Sequence, residues 1–195
     1  DRVVSPHERS GVGHIILEGQ TGPLPLTLRE AQITHEPDSF EAEITLAHGQ
    51  VATAHLRYRS RPDGTWAIRE KLVAATAFDS KEIATGLIGI LNNRGWIHES
   101  GRRAVAFDGI QTDVPAWSGL ELGRDGVRTI EIDGLLRIDG PRPLAAVYRA
   151  ASEAVRGRAT DELYLNLLTG NRRFQPGNVI SQWEATVRCI DNKQP

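Results

Sequence analysis

Between Phe40 and Ala74 apolar and polar residues alternate with a period of two, and no other feature of the sequence restricts the fold as much. Phe40, Ala42, Ile44 and Leu46 alternate with Glu41, Glu43 and Thr45. Ala52, Ala54, Leu56 and Tyr58 alternate with Thr53, His55, Arg57 and Arg59. Trp66, Ile68, Leu72 and Ala74 then alternate with Arg69, Lys71 and Val73. Successive side chains of an extended strand point to opposite faces. Period two therefore describes strands buried on one face and wet on the other, as in antiparallel sheets. Leu24, Leu26, Leu28 and Ile33 carry the pattern upstream, which predicts an antiparallel β-meander over about 24–77.

The turns propose a register. A three-residue loop ending in Gly is a favoured hairpin connection, because Gly takes the left-handed position of the bulge. Applied to Ala47-His48-Gly49, it sets Phe40 opposite Leu56, Ala42 opposite Ala54 and Glu41 opposite His55. The Arg61-Pro62-Asp63-Gly64 turn sets Tyr58 opposite Trp66 and adds Ile68 to the Phe40–Leu56 row.

The remainder predicts an α+β fold, with the meander followed by a helix, further β-hairpins, two helices and a C-terminal strand. Asp79-Ser80-Lys81-Glu82 matches a helix N-cap, followed by Ile83, Leu87 and Leu91 at i, i+4 and i+8 and stopped by Asn92 to Gly95. Asp108-Gly109, Asp125-Gly126, Asp133-Gly134 and Asp139-Gly140 punctuate a hairpin region. Pro143 opens a second helix with a Leu144, Val147, Tyr148, Ala151 and Val155 stripe. Thr160-Asp161-Glu162 caps a third, through Leu163, Leu167 and Leu168. The last strand runs near Val179 to Ile190, with Trp183, Ala185, Val187 and Cys189 on one side, and His14 to Glu18 is a short early strand. The 195 residues suit one domain, residues 1–13 being an arm without periodicity.

Composition excludes several function classes. The 23 basic and 25 acidic residues leave a net charge of -2, which argues against nucleic acid as a partner. No apolar run approaches the roughly 20 residues of a membrane-spanning helix, so a soluble chain without a transmembrane segment is expected. One cysteine, Cys189, excludes an internal disulfide, and its place on an apolar strand face predicts a buried, inert thiol. The chain opens on Asp1 and contains no Met. Signal removal is one explanation, leaving a periplasmic or secreted location open beside a cytoplasmic one. No motif is specific enough to name a family.

Two constellations carry candidate chemistry. The first is the polar face of the meander, where His55, Arg57, Arg59, Arg69 and Lys71 stand beside Glu41 and Glu43. Guanidinium groups on a rigid sheet suit an anionic small molecule, an acidic glycan or an acidic protein. The plainer alternative is a solvated face whose charges pair across strands. The second is Asn92 to Ser100, which gathers Arg94, Trp96, His98 and Glu99. A His beside a carboxylate can act as general base, though adjacent strand residues face opposite ways, so His98 and Glu99 each need a partner elsewhere. The plainer alternative there is a turn with Trp96 packed inward.

No metal-ligand spacing links His7, His14, His35, His48, His55 and His98, and no cofactor motif is present, so neither metal nor cofactor is expected. Nucleophile elbows and phosphate loops are likewise missing. The leading expectation is a non-catalytic binding or interaction domain with an Arg-rich sheet face. One alternative is a small hydrolase or lyase using His98 or His55 with Glu99 or another carboxylate and Arg for charge stabilisation. Another is an exported occluding or immunity-type protein.

Overall fold

A computed structural model describes residues 3–4, 13–91, 96–99, 102–106, 120–122, 128–132, 136–141, 146–149 and 160–189. About 74% of what it describes is strand, in two antiparallel sheets and without a helix, which overturns the α+β expectation. In chain order the strands are β1 (Val3–Val4), β2 (His14–Leu17), β3 (Leu26–Glu36), β4 (Ser39–His48) and β5 (Ala52–Ser60). Then come β6 (Thr65–Ala74), β7 (Phe78–Leu91), β8 (Trp96–Glu99), β9 (Arg102–Ala106) and β10 (Leu120–Leu122). The last five are β11 (Thr129–Ile132), β12 (Leu136–Asp139), β13 (Ala146–Arg149), β14 (Thr160–Phe174) and β15 (Val179–Cys189). Among the described residues no helix is long and apolar enough to cross a membrane.

Three stretches expected as helices are strands or lie outside the described residues. Residues 79–91 fall in β7 and 160–170 in β14, and these two long strands pair with each other from Thr160↔Leu91 to Phe174↔Phe78. Of the expected helix after Pro143, the described part is the strand β13, paired with β10 and β14. The physical reason is arithmetic. Spacings of four residues satisfy a helical period of 3.6 and also an extended period of two, so Ile83, Leu87 and Leu91 fit both. Local composition then favours strand: Ile83, Thr85, Ile88 and Ile90 are β-branched, and Gly86 and Gly89 weaken a helix. The acidic cap residues find other partners. Asp79 lies 3.9 Å from Arg173, and Glu82 pairs with His14 across β2. Of the expected N-terminal arm, Val3–Val4 is a short strand against Ile90 and Gly89. The Asp-Gly pairs at 108, 125 and 133 lie outside the described residues, and Gly140 donates its N–H to the Arg128 carbonyl at 2.8 Å.

The nine-stranded sheet runs β3-β4-β5-β6-β15-β12-β11-β8-β9, and the six-stranded sheet runs β1-β7-β14-β13-β10 with β2 also on β7. β3 to β6 form the expected meander, but its register differs. The first loop is Gly49-Gln50-Val51, with Gly49 at φ 55°, so Ile44 lies opposite Leu56, Leu46 opposite Ala54 and Thr45 opposite His55. Burial explains the shift, because Ala47 and His48 are 5% and 1% exposed and belong to the strand rather than to its turn. In the next hairpin Tyr58 faces Ile68, and Ser60 faces Trp66. Both displacements are even in effect, so each residue keeps its face.

The core lies between the sheets. Leu56, Leu72, Ala52, Ala54 and Ala74 from the meander pack against Ile15, Phe78 and Ile83 of the six-stranded sheet. Leu72 is completely buried at 0% exposure. Leu72→Ala is expected to cost about 2–5 kcal/mol, from lost transfer energy and an unfilled cavity. Urea denaturation measures it, and a loss below about 1 kcal/mol would place Leu72 outside the load of this core. Cys189 shares its strand face with Ala185, yet Ala185 is buried and Cys189 is exposed, which corrects the expected burial of the thiol. Alternation sets the face; burial also needs the opposite sheet to reach the strand's end.

Candidate functional site

On the outer face of the nine-stranded sheet an open cleft of about 510 Å³ crosses β4, β5, β6 and β15. The register defines its walls. One is the row Thr45, His55, Lys71 and Gln182; the other is the row Glu43, Arg57, Arg69 and Glu184. Between them runs the row Ile44, Leu56, Glu70 and Trp183, whose side chains point to the other face, so the floor is backbone. Residues two apart on a strand sit about 7 Å apart, and three strand spacings make the cleft about 14 Å long.

The two walls differ electrostatically. Arg57 bonds Glu41 and lies 3.4 Å from Glu43. Arg69 grips Glu184 with two N–H groups, Nε at 3.0 Å and Nη2 at 3.1 Å. These pairs are half exposed and add little stability, but they hold both guanidinium forks in place. On the opposite wall Lys71 has no ion-pair partner among the described residues. His55 Nδ1 stands 3.5 Å from the Thr45 hydroxyl, at the outer limit of a hydrogen bond. The lining holds three cations, Arg57, Arg69 and Lys71. Arg57 is paired with Glu41 and Glu43 and Arg69 with Glu184, which leaves Lys71 as the lining cation without a carboxylate among the described residues.

Beneath the floor lies a group the sequence reading passed over. Glu70 is 2% exposed and points between the sheets. Its Oε2 accepts from the Gly86 backbone N–H at 3.1 Å and from Trp183 Nε1 at 3.0 Å, while Oε1 has no partner among the described residues. Burial pushes its pKa up to about 8, and the two hydrogen bonds oppose that shift without cancelling it. At neutral pH Glu70 is therefore a carboxylic acid, with its proton on the unpartnered oxygen. It ties β6 and β15 of one sheet to β7 of the other. The signal was present: Glu70 is the one charge among Trp66, Ile68, Leu72 and Ala74 on an otherwise apolar face.

The structure gathers His55, Arg57, Arg69 and Lys71 in the cleft and leaves Arg59 in the next row, opposite Glu41 and outside the lining. Arg94 lies outside the described residues. Trp96, His98 and Glu99 form β8, with only their backbone described; His98 pairs with Glu131 and Arg103 in register. β8 stands five strands from β5, on the order of 24 Å, so His98 and His55 share no site. Among the described residues the His–carboxylate pair is His14 with Glu82 at 2.7 Å, in the six-stranded sheet and away from the cleft. His48 is also buried, and desolvation lowers its pKa to about 4, with His14 adding to the shift. Among the described residues no group of three His, Cys, Asp or Glu is placed to hold a metal.

No protein-family model and no curated protein matches the chain. Among solved structures it is similar to a GH36 alpha-galactosidase from Geobacillus stearothermophilus in complex with stachyose, at 12% identity and a TM-score of 0.57. The match covers 92% of this chain and 30% of that one. It is also similar to the alpha-galactosidase from Lactobacillus brevis, at 8% identity and a TM-score of 0.58, over 93% of this chain and 29% of that one. The likeness is one of fold, and the chain spans under a third of the length of those enzymes.

Proposed function

We propose that this chain is a non-catalytic binding domain that takes an anionic ligand in the cleft on the outer face of its nine-stranded sheet. The observation that carries the reading is the convergence of Arg57, Arg69, Lys71 and His55 on one cleft, with Lys71 left without a carboxylate among the described residues. Rigid strands hold these groups, so little ordering entropy is lost on binding. At the cleft itself His55 stands near a hydroxyl and has no carboxylate within hydrogen-bond reach among the described residues, so the cleft offers a binding surface rather than a His–carboxylate pair. A fold shared with parts of two alpha-galactosidases, one of them holding stachyose, supports a carbohydrate among the anionic candidates.

Replacing both Arg57 and Arg69 by Ala is expected to weaken binding of an oligosaccharide carrying one uronic acid by about tenfold or more. The double variant strips Glu43 and Glu184 of their cations and leaves carboxylates facing the ligand. Calorimetric titration with that oligosaccharide, inorganic phosphate and an acidic peptide measures it. Unchanged affinity for every probe that binds would remove the cleft as the contact surface.

A further inference from the structure

We infer that the cleft takes a saccharide bearing a single carboxylate, a sugar acid among neutral rings, with the carboxylate on the His55–Lys71 wall and ring hydroxyls on the Arg–Glu wall. This rests on the binding role proposed above and names its ligand class. Three observations carry it.

The first is that the two walls offer different chemistry. In the row Glu43, Arg57, Arg69 and Glu184 every guanidinium already has a carboxylate. What remains free there is a mixture of N–H donors and carboxylate lone pairs at fixed positions. A hydroxyl donates and accepts, and so matches such a mixed surface; a sulfate or a phosphodiester only accepts and would meet the Glu43 and Glu184 carboxylates. The second is that Lys71 and His55 are cross-strand neighbours, within about 5.5 Å, and neither is held by a carboxylate. An ammonium next to an imidazole is a seat for one carboxylate, and Thr45 and Gln182 flank it with a hydroxyl and an amide.

The third is the charge count. Each strand of a nucleic-acid duplex carries a phosphate about every 3.4 Å of axis and would lay about four charges along a cleft about 14 Å long. The cleft has one cation, Lys71, without a carboxylate partner among the described residues. A polyanion would therefore force several charges against glutamates, whereas one carboxylate matches Lys71.

The experiment is a calorimetric titration of the chain with a trisaccharide containing one glucuronic acid, and with the same trisaccharide after reduction of its carboxyl to an alcohol. The acid form is expected to bind about tenfold tighter, the size of one charge-assisted contact. Lys71→Gln is expected to erase that preference while leaving affinity for the reduced sugar within about twofold. Arg69→Ala is expected to weaken both sugars by a similar factor. Lys71, His55 and Arg69 are exposed, so these variants keep the core intact, and circular dichroism checks the fold. Equal binding of both sugars by the native chain overturns the inference, as does a Lys71→Gln variant that weakens both alike. If an acidic peptide binds and neither sugar does, the saccharide is wrong and the anionic binding role stands. If the sugars, the acidic peptide and inorganic phosphate all fail to bind, both fall together.

Discussion

At pH 8 the Glu70→Gln variant is expected to resist urea better than the native chain by a few kcal/mol, and at pH 4.5 that advantage is expected to vanish. In the folded protein the Glu70 pKa is raised from 4.5 to about 8, chiefly by burial. In the unfolded chain it ionises near its ordinary value. Below about 4.5 both states hold the proton and the group's contribution is fully present. As pH rises from there, the unfolded state releases the proton and the folded state keeps it, so stability falls. Above about 8 both states are ionised and the loss is complete.

Gln reproduces the neutral acid. Its carbonyl oxygen accepts from the Gly86 N–H and Trp183 Nε1, and its amide nitrogen takes the place of the unpartnered Oε1. The difference between the two proteins isolates this one titration from every other. Denaturation midpoints collected from pH 4 to 9 supply the test. Parallel curves for variant and native chain would mean that Glu70 is ionised and solvated, and the buried acid would have to be given up.

Gly86→Ala is expected to cost about 3–5 kcal/mol, a large share of the 5–15 kcal/mol that holds a typical domain together. Gly86 sits at φ 66°, where an L side chain is strained. An added Cβ would lie 2.7 Å from Trp183 Cζ2 and 2.8 Å from Leu165 Cβ. Neither neighbour yields easily. Leu165 Cβ is fixed to its backbone, and the Trp183 ring is held by its bond to Glu70. Moving the ring breaks the bond from Nε1, and moving β7 draws the Gly86 N–H away from the same oxygen. Both donors of the inter-sheet link are at risk from one methyl group. Urea denaturation gives the cost, and the Trp183 indole N–H resonance reports whether the link survives. A loss below about 1 kcal/mol with that resonance unmoved would show that the sheets are not packed this closely at Gly86.

These two experiments concern residues that differ in legibility. Glu70 could have been found from the sequence, as a carboxylate at a core position of an alternating strand. Its face does not depend on register, since period two sets Glu70 between Ile68 and Leu72 in either hairpin; the donors that hold it, Gly86 N–H and Trp183 Nε1, arrive from β7 and β15 and were not legible. Gly86 carried no such signal. Its role depends on Trp183 and Leu165, nearly 80 or more positions along the chain, and only their arrival in space makes a Cβ intolerable. The polar wall of the cleft was legible as a set of side chains, since period two assigns His55, Arg57, Arg69 and Lys71 to one face whatever the register. Gln182 and Glu184 were not, because they enter from β15, a strand more than 100 residues away that pairs beside β6.

What the sequence determined by itself is the two-sided character of the segment from Phe40 to Ala74, because an extended chain alternates its faces by covalent geometry. Upstream the pattern did not predict burial: beyond Leu26, β3 is exposed along its length, Leu28 and Ile33 included, and a bulge between Leu28 and Glu30 interrupts its alternation. Tertiary structure decided the rest. Whether Ile83, Leu87 and Leu91 form a helical stripe or one face of a strand depends on the presence of β14 to take up the backbone hydrogen bonds of β7, since their spacing fits both. Register, the partner of each guanidinium and the burial of Glu70 follow from pairings between distant strands, and those energies belong to no local stretch of the chain.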